Sequence, residues 1–148
     1  MNEAESAVPG PGTNDRWRLD GRVALVTGAS AGLGARFALV LHAAGADVIV
    51  TARRADRLEG LARHCGSRIQ TIAGDIADPH HRQAVMDMVR PHGQLDVLVN
   101  TAGICDDGPL EQQALGDLRR VVEVNLISVM DLCRLAADLL RNAPAASS

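Results

Sequence analysis

The sequence predicts an α/β fold: a doubly wound parallel sheet of about four strands, cut off after one long helix. Three observations predict it. Short β-rich apolar runs alternate with amphipathic stretches at a spacing of about 25 residues, which implies right-handed strand–helix–strand crossovers. A glycine cluster stands where the first apolar run meets the first amphipathic stretch. The length of 148 residues suits one domain able to bury a core.

The elements follow in order. Residues 1–16, MNEAESAVPGPGTNDR, are polar and rich in Pro and Gly, and read as a disordered tail. They lack the basic start and apolar centre of a signal peptide. The domain is expected over residues 17–141, with strands at Val23–Thr27, Asp47–Ala52, Arg68–Ala73 and Leu95–Asn100. Helices are expected at Leu33–Ala44, Asp56–His64 and His80–Arg90. The third has Asp78 as its N-cap and Pro79 at its first position, and Pro91 with Gly93 ends it. A loop, TAGICDDGP, leads to a long helical pattern from Leu115 to Leu140. Its apolar row is Leu118, Val122, Asn125, Val129, Leu132, Ala136 and Leu140. Residues 142–148, NAPAASS, read as a frayed end. The expected strand order is 3-2-1-4, which leaves Leu95, Val97, Leu98 and Val99 on an unpaired apolar edge.

Composition narrows the function classes. A net charge of −3 without a basic stripe argues against nucleic acid as a partner. The longest apolar stretch, RFALVLHAAGADVIVTA, is interrupted by His42, Gly45 and Asp47, so no membrane span is expected. Three scattered cysteines, Cys65, Cys105 and Cys133, suit a reducing cytoplasm. The chain has no tyrosine, and all 15 basic residues are arginine. A mechanism that needs a phenol or an amine side chain cannot draw it from these residues. His80 and His81 are adjacent at a helix start and His92 lies in a turn, without His-x-x-x-His spacing, so no metal site is expected. Cys105 stands beside Asp106 and Asp107 with no base close in sequence.

The glycine cluster is TGASAGLG, with Gly28, Gly32 and Gly34 between strand and helix. One glycine permits the tight turn, another lets backbone approach a ligand, and a third lets helix and strand pack closely. The helix start then offers free N–H groups to an anion, ideally a pyrophosphate. A glycine-rich turn without a ligand is the plainer alternative. RLDGRVALVTGASAGLG resembles the opening strand and Thr-Gly-x-x-x-Gly-x-Gly turn of the short-chain dehydrogenases/reductases, a Rossmann-type family. The resemblance runs from about Trp17 to Leu140 and implies that Thr27, Gly28, Ser30, Gly32, Leu33 and Gly34 surround the adenosine and pyrophosphate of NAD(P). Gly-Asp-Ile at 74–76 matches the family's turn after the third strand, where Asp75 would bond the adenine amino group; an ordinary loop aspartate is the alternative. VNTAG at 99–103 resembles the family's Asn-Asn-Ala-Gly motif through Asn100, Ala102 and Gly103, with Thr101 departing from it.

The end of the second strand reads VIVTARRADRLE, with Ala52 where an NAD-selecting fold places an acid. Arg53 and Arg54 follow and would attract a 2′-phosphate, which favours NADP over NAD; a solvated helix start is the alternative. Asn125, in VVEVNLISVM, is by resemblance the family's active-site asparagine, although a core amide satisfied by backbone accounts equally for its place in an apolar row. The family's serine, tyrosine and lysine lie beyond the long helix, which makes Asn125 the surviving member of the tetrad. The resemblance thus implies the cofactor-binding portion of an oxidoreductase that moves a hydride between NAD(P)H and an alcohol or ketone, inactive alone. A non-catalytic nucleotide-binding module, or half of a split enzyme, is the second reading. The expected partners are a nicotinamide dinucleotide and either a second copy or a chain supplying the missing strands.

Overall fold

The computed structural model describes residues 18–144; the tail at 1–16, Trp17 and residues 145–148 lie outside them. Four parallel strands, β1 (Val23–Thr27), β2 (Asp47–Ala52), β3 (Ile69–Ala73) and β4 (Val97–Asn100), form one sheet in the order β3-β2-β1-β4. The crossover helices are α1 (Gly32–Ala43), α2 (Ala55–Cys65) and α3 (Pro79–Val89). Then come α4 (Leu115–Val122), a π-helical turn (Glu123–Ile127) and α5 (Ser128–Asn142), which together form the long helix.

The central strands β1 and β2 are buried on both faces, and their residues show why. Ala24, Val26, Val48 and Val50 pack with Ala38 of α1 and Leu58 of α2. Their alternates Val23, Leu25 and Ile49 pack with Val85, Met86 and Val89 of α3 and with Leu132 and Ala136 of α5. Successive side chains point to opposite faces, so a strand covered on both sides must be apolar throughout. The register sets Thr27 beside both Thr51 and Asn100, so β1, β2 and β4 finish at one level. The opposite end is tied by Asp96, which accepts from Arg22 Nη1 at 2.7 Å and from the Val23 N–H at 2.8 Å.

Asp78 caps α3 as expected: its carboxylate accepts from the His80 N–H at 2.9 Å, with Pro79 next in the first turn. Gly93, at φ 75°, ends the short 3₁₀ turn Arg90–His92 that follows. Arg68 is drawn into a 3₁₀ turn over Gly66–Arg68, so β3 starts one residue later than the apolar run.

Two expectations need correction. Leu95 does not lie on an open edge: it is fully buried before β4 begins, with its N–H donating to the Leu139 carbonyl at 3.0 Å. Val97, Leu98 and Val99 do form β4, which pairs with β1 alone and is half-buried. The buried row of the long helix is also different. It runs Val124, Ser128, Leu132 and Ala136, while Val122 is 49% exposed and Asn125 is exposed. The cause is the π turn, whose i→i+5 bonding takes in an extra residue and shifts the phase of everything before it. At the C-terminal end, the Pro144 carbonyl accepts from Arg22 Nη1 at 2.7 Å.

One charged side chain lies inside the layer between α3 and the long helix. Arg82 is 4% exposed. Its Nη1 donates to the carbonyls of Ile76 and Ala77 at 2.9 and 3.0 Å and reaches Glu123, and its Nε donates to Asp131 at 2.7 Å. It thereby ties the β3–α3 loop to the helix that follows β4.

Candidate functional site

A cavity of about 340 Å³ opens where the strands end. The glycine turn forms one wall, and its geometry comes directly from the residue types. Gly28 has φ 71° and Gly32 φ 57°, a region that side chains disfavour. A Cβ on Gly28 would lie 2.6 Å from the Ala102 nitrogen, and one on Gly34 would lie 2.6 Å from Thr101 Oγ1. The turn therefore packs against the loop after β4 as only glycine permits. A Cβ on Gly32 would meet nothing within 4 Å, because that side faces open space. α1 begins at Gly32, and its first-turn N–H groups have no partner within the helix.

Thr27 is buried and clamps the two loops together. Its Oγ1 accepts from the N–H groups of Thr101 and Ala102, both at 3.2 Å. Thr101 returns a bond from its own hydroxyl to the Thr27 carbonyl. The departure from Asn-Asn-Ala-Gly thus keeps a side-chain tie to the glycine turn.

The charged part of the lining comes from three elements. Arg53 and Arg54 stand between β2 and α2, Asp75 follows β3, and Arg120 projects from α4. Arg54 donates to Ser30 Oγ through Nε at 3.2 Å and Nη2 at 2.9 Å, linking the β2 end to the glycine turn. Asp75 Oδ1 accepts from the Ala77 N–H at 3.0 Å, and Oδ2 pairs with Arg120. Burial works to raise the Asp75 carboxyl, but those two bonds and the nearby Arg53 outweigh it and hold it below the usual carboxylate range. Among the described residues the lining carries three guanidinium groups and one carboxylate, a balance that favours anions.

His81 lies under this floor. Its Nε2 is 2.8 Å from Thr51 Oγ1, and a Cβ on Gly74 would collide with its ring. Burial pushes the imidazole below its ordinary range, against the pull of Asp78 and Asp75. The folded state resists a proton that the unfolded chain accepts near pH 6.5, so stability falls as pH drops through that value. His42, depressed by burial and then by Arg68, acts in the same direction. The urea midpoint is expected to fall between about pH 7.5 and about pH 5.5, and less steeply in His81→Gln. Parallel curves for the two proteins would remove His81 as a source.

Of the residues singled out from sequence, Gly28, Ser30, Gly32, Arg53, Arg54, Asp75, Ala102 and Gly103 line the cavity together. Thr27 and Gly34 are buried behind it, and Leu33 points outward at 71% exposure. Asn100 lies off the lining, its Nδ2 3.8 Å from Cys133 Sγ. Asn125 bonds the loop after β4: its Nδ2 donates to the Ile104 carbonyl at 2.7 Å, and its Oδ1 accepts from the Ile104 N–H at 2.9 Å. It is a backbone-satisfied amide, and it fixes Ile104, which does line the cavity. Sequence reasoning missed Arg120, Thr51 and Val124. Among the described residues, no group of His, Cys, Asp and Glu could hold a metal, and no helix is long and apolar enough to cross a membrane.

Fold and cavity define a doubly wound α/β protein with a positive-φ glycine turn and three arginines around a cavity at its strand ends. The chain belongs to the short chain dehydrogenase family, whose match covers residues 22–147. Nodulation protein G of Rhizobium sp. (strain N33) is 39% identical over 119 residues, covering 80% of this chain and 49% of that protein. D-threitol dehydrogenase of Mycolicibacterium smegmatis is 36% identical over 122 residues, 80% of this chain and 47% of that one. A crystal structure of a short-chain dehydrogenase/reductase (glucose/ribitol dehydrogenase) from Brucella melitensis superposes with a TM-score of 0.80 at 30% identity, over 84% of this chain and 54% of that chain. The chain thus spans about half the length of the relatives it matches.

Proposed function

We propose that this chain is the cofactor-binding portion of an NAD(P)(H)-dependent oxidoreductase that interconverts an alcohol and a ketone. The observation that carries the reading is one crevice in which the positive-φ glycine turn, the α1 N-terminus and the arginines converge. These groups fit a dinucleotide diphosphate: Gly32 leaves room for close approach, and the helix start supplies N–H donors. When bound, the nicotinamide supplies or accepts the hydride. The residues of this chain bind and orient. Arg53 and Arg54 hold the ribose end, Asp75 accepts from the adenine amino group, and the loop 100–103 supports the second ribose. Asn125, through Ile104, keeps that loop in place.

NADP is the favoured cofactor, because Ala52 offers no acid to the ribose hydroxyls while Arg53 and Arg54 offer paired donors to a 2′-phosphate. The three cysteines, none disulfide-bonded, suit the reducing cytoplasm in which we place the chain. β4 pairs on one side, and Leu126 and Met130 are 52% and 61% exposed. Both features support a partner there, either a second copy or a chain carrying further strands.

The resemblance implies a tyrosine as proton donor and a lysine beside it; these 148 residues contain neither, so by that resemblance the donor to substrate would come from other polypeptide. That composition also favours a second reading, a nucleotide-binding module without catalysis of its own. Calorimetric titration of the 148-residue chain tests the assignment. NADPH is expected to bind in the micromolar range and about tenfold tighter than NADH, a gap of ~1.4 kcal/mol. Arg53→Gln with Arg54→Gln should remove the preference, and no carbonyl reduction should be seen. An absence of heat with either cofactor would overturn the binding assignment. Turnover by the chain alone would overturn the placement of the proton donor elsewhere.

A further inference from the structure

Arg120 has no place in the reading from sequence, yet it closes the adenosine end of the crevice. It reaches from α4, five residues before Asn125, to the loop after β3, and pairs through Nη2 with Asp75 Oδ2. The other oxygen, Oδ1, is held by the Ala77 N–H at 3.0 Å. The Asp75 carboxylate is thus fastened at both oxygens, by groups from two elements. A carboxylate offers about four acceptor positions, so two bonds leave others free, now in fixed directions. The side chains of Arg120 and Asp75 are 39% and 38% exposed and line the cavity together. An ion pair this open contributes little to stability, which leaves orientation as its main effect.

We propose that Arg120 is a positioning residue that makes Asp75 a reader of the purine ring, aiming a fixed acceptor at a 6-amino group and against a 6-oxo group. This rests on the cofactor reading above. A site built to accept from an N–H rejects the analogue that presents an oxygen there, since two acceptors then face each other. Without Arg120 the carboxylate keeps its charge but loses one of its two fastenings. It can then turn away from either purine, and the distinction fades.

The test is titration of the 148-residue chain with NADPH and with its hypoxanthine analogue, which carries an oxo group at purine C6 and a proton on the neighbouring N1. The unmodified chain is expected to prefer NADPH by about tenfold or more. Arg120→Met should cut that ratio to about twofold, mainly by weakening NADPH, and Arg120→Lys, which keeps a cation but not the guanidinium fork, should restore part of it. A merely structural role would weaken both ligands in parallel, and that result, or an unchanged ratio, overturns the proposal. Equal affinity of the unmodified chain for both ligands overturns it too, while leaving the cofactor reading standing. Binding of neither overturns both.

Discussion

Replacing Arg82 with methionine is expected to lower the thermal midpoint by about 10 °C, from a loss of ~3 kcal/mol. The substitution keeps an unbranched apolar stem in the same space but withdraws every donor. The Ile76 and Ala77 carbonyls then lose their guanidinium bonds in a buried layer, and Asp131 keeps Arg134 as its remaining partner. An unsatisfied acceptor in such a place costs about 1–3 kcal/mol, and a half-broken buried ion pair more. Adding Asp131→Leu should recover part of the loss, because removing both members is gentler than removing one. Thermal and urea unfolding followed by circular dichroism provide the measurement. A midpoint within about 2 °C of the parent would show that Arg82 does not hold the β3–α3 loop to the long helix.

The second large effect is expected at Gly28. Gly28→Val puts a β-branched side chain at φ 71°, with its Cβ 2.6 Å from the Ala102 nitrogen. The left-handed conformation alone costs about 1–2 kcal/mol, and the collision is with backbone, which cannot rotate aside. The glycine turn and the loop after β4 must separate, and the crevice between them changes shape. NADPH affinity should fall by about 100-fold or more, equivalent to ~2.7 kcal/mol, as read by calorimetry. Gly60→Ala supplies the contrast. It lies within α2, has open space around it, and should stabilise the chain by about 1 kcal/mol without changing affinity. Retention of binding in Gly28→Val would remove the glycine turn from the ligand site.

The difference between legible and illegible parts follows from the range of the interactions. β1 and β2 begin and end where their apolar runs do, because strands buried on both faces leave an unmixed trace. The Asp78–Pro79 start of α3 was equally plain, since a cap is a bond between near neighbours. The glycine turn could be placed because strand, turn and helix are contiguous. The phase of the long helix could not. A row drawn at 3.6 residues per turn leads through Asn125, but the π turn inserts a residue at that point and moves the amide out of the core. Arg120 was missed for a different reason: its partner Asp75 lies 45 residues away, across a crevice that exists only after folding. Leu95 looked like part of a strand by composition, but its N–H bonds α5 instead of a neighbouring strand.

Levelling the ends of β1, β2 and β4 has an evolutionary corollary. Each loop that shapes the rim leaves a finished strand but keeps a foothold in the interior or on its edge. Ala29, Ile76 and Ala77 are buried in the two core clusters, and Ala102 and Ile104 pack against one of them, so only the exposed rim positions can change their chemistry without disturbing the apolar interior. Ligand preference can therefore drift at the exposed rim positions, such as Arg53 and Arg54, while the buried footholds hold the loops to the inherited frame.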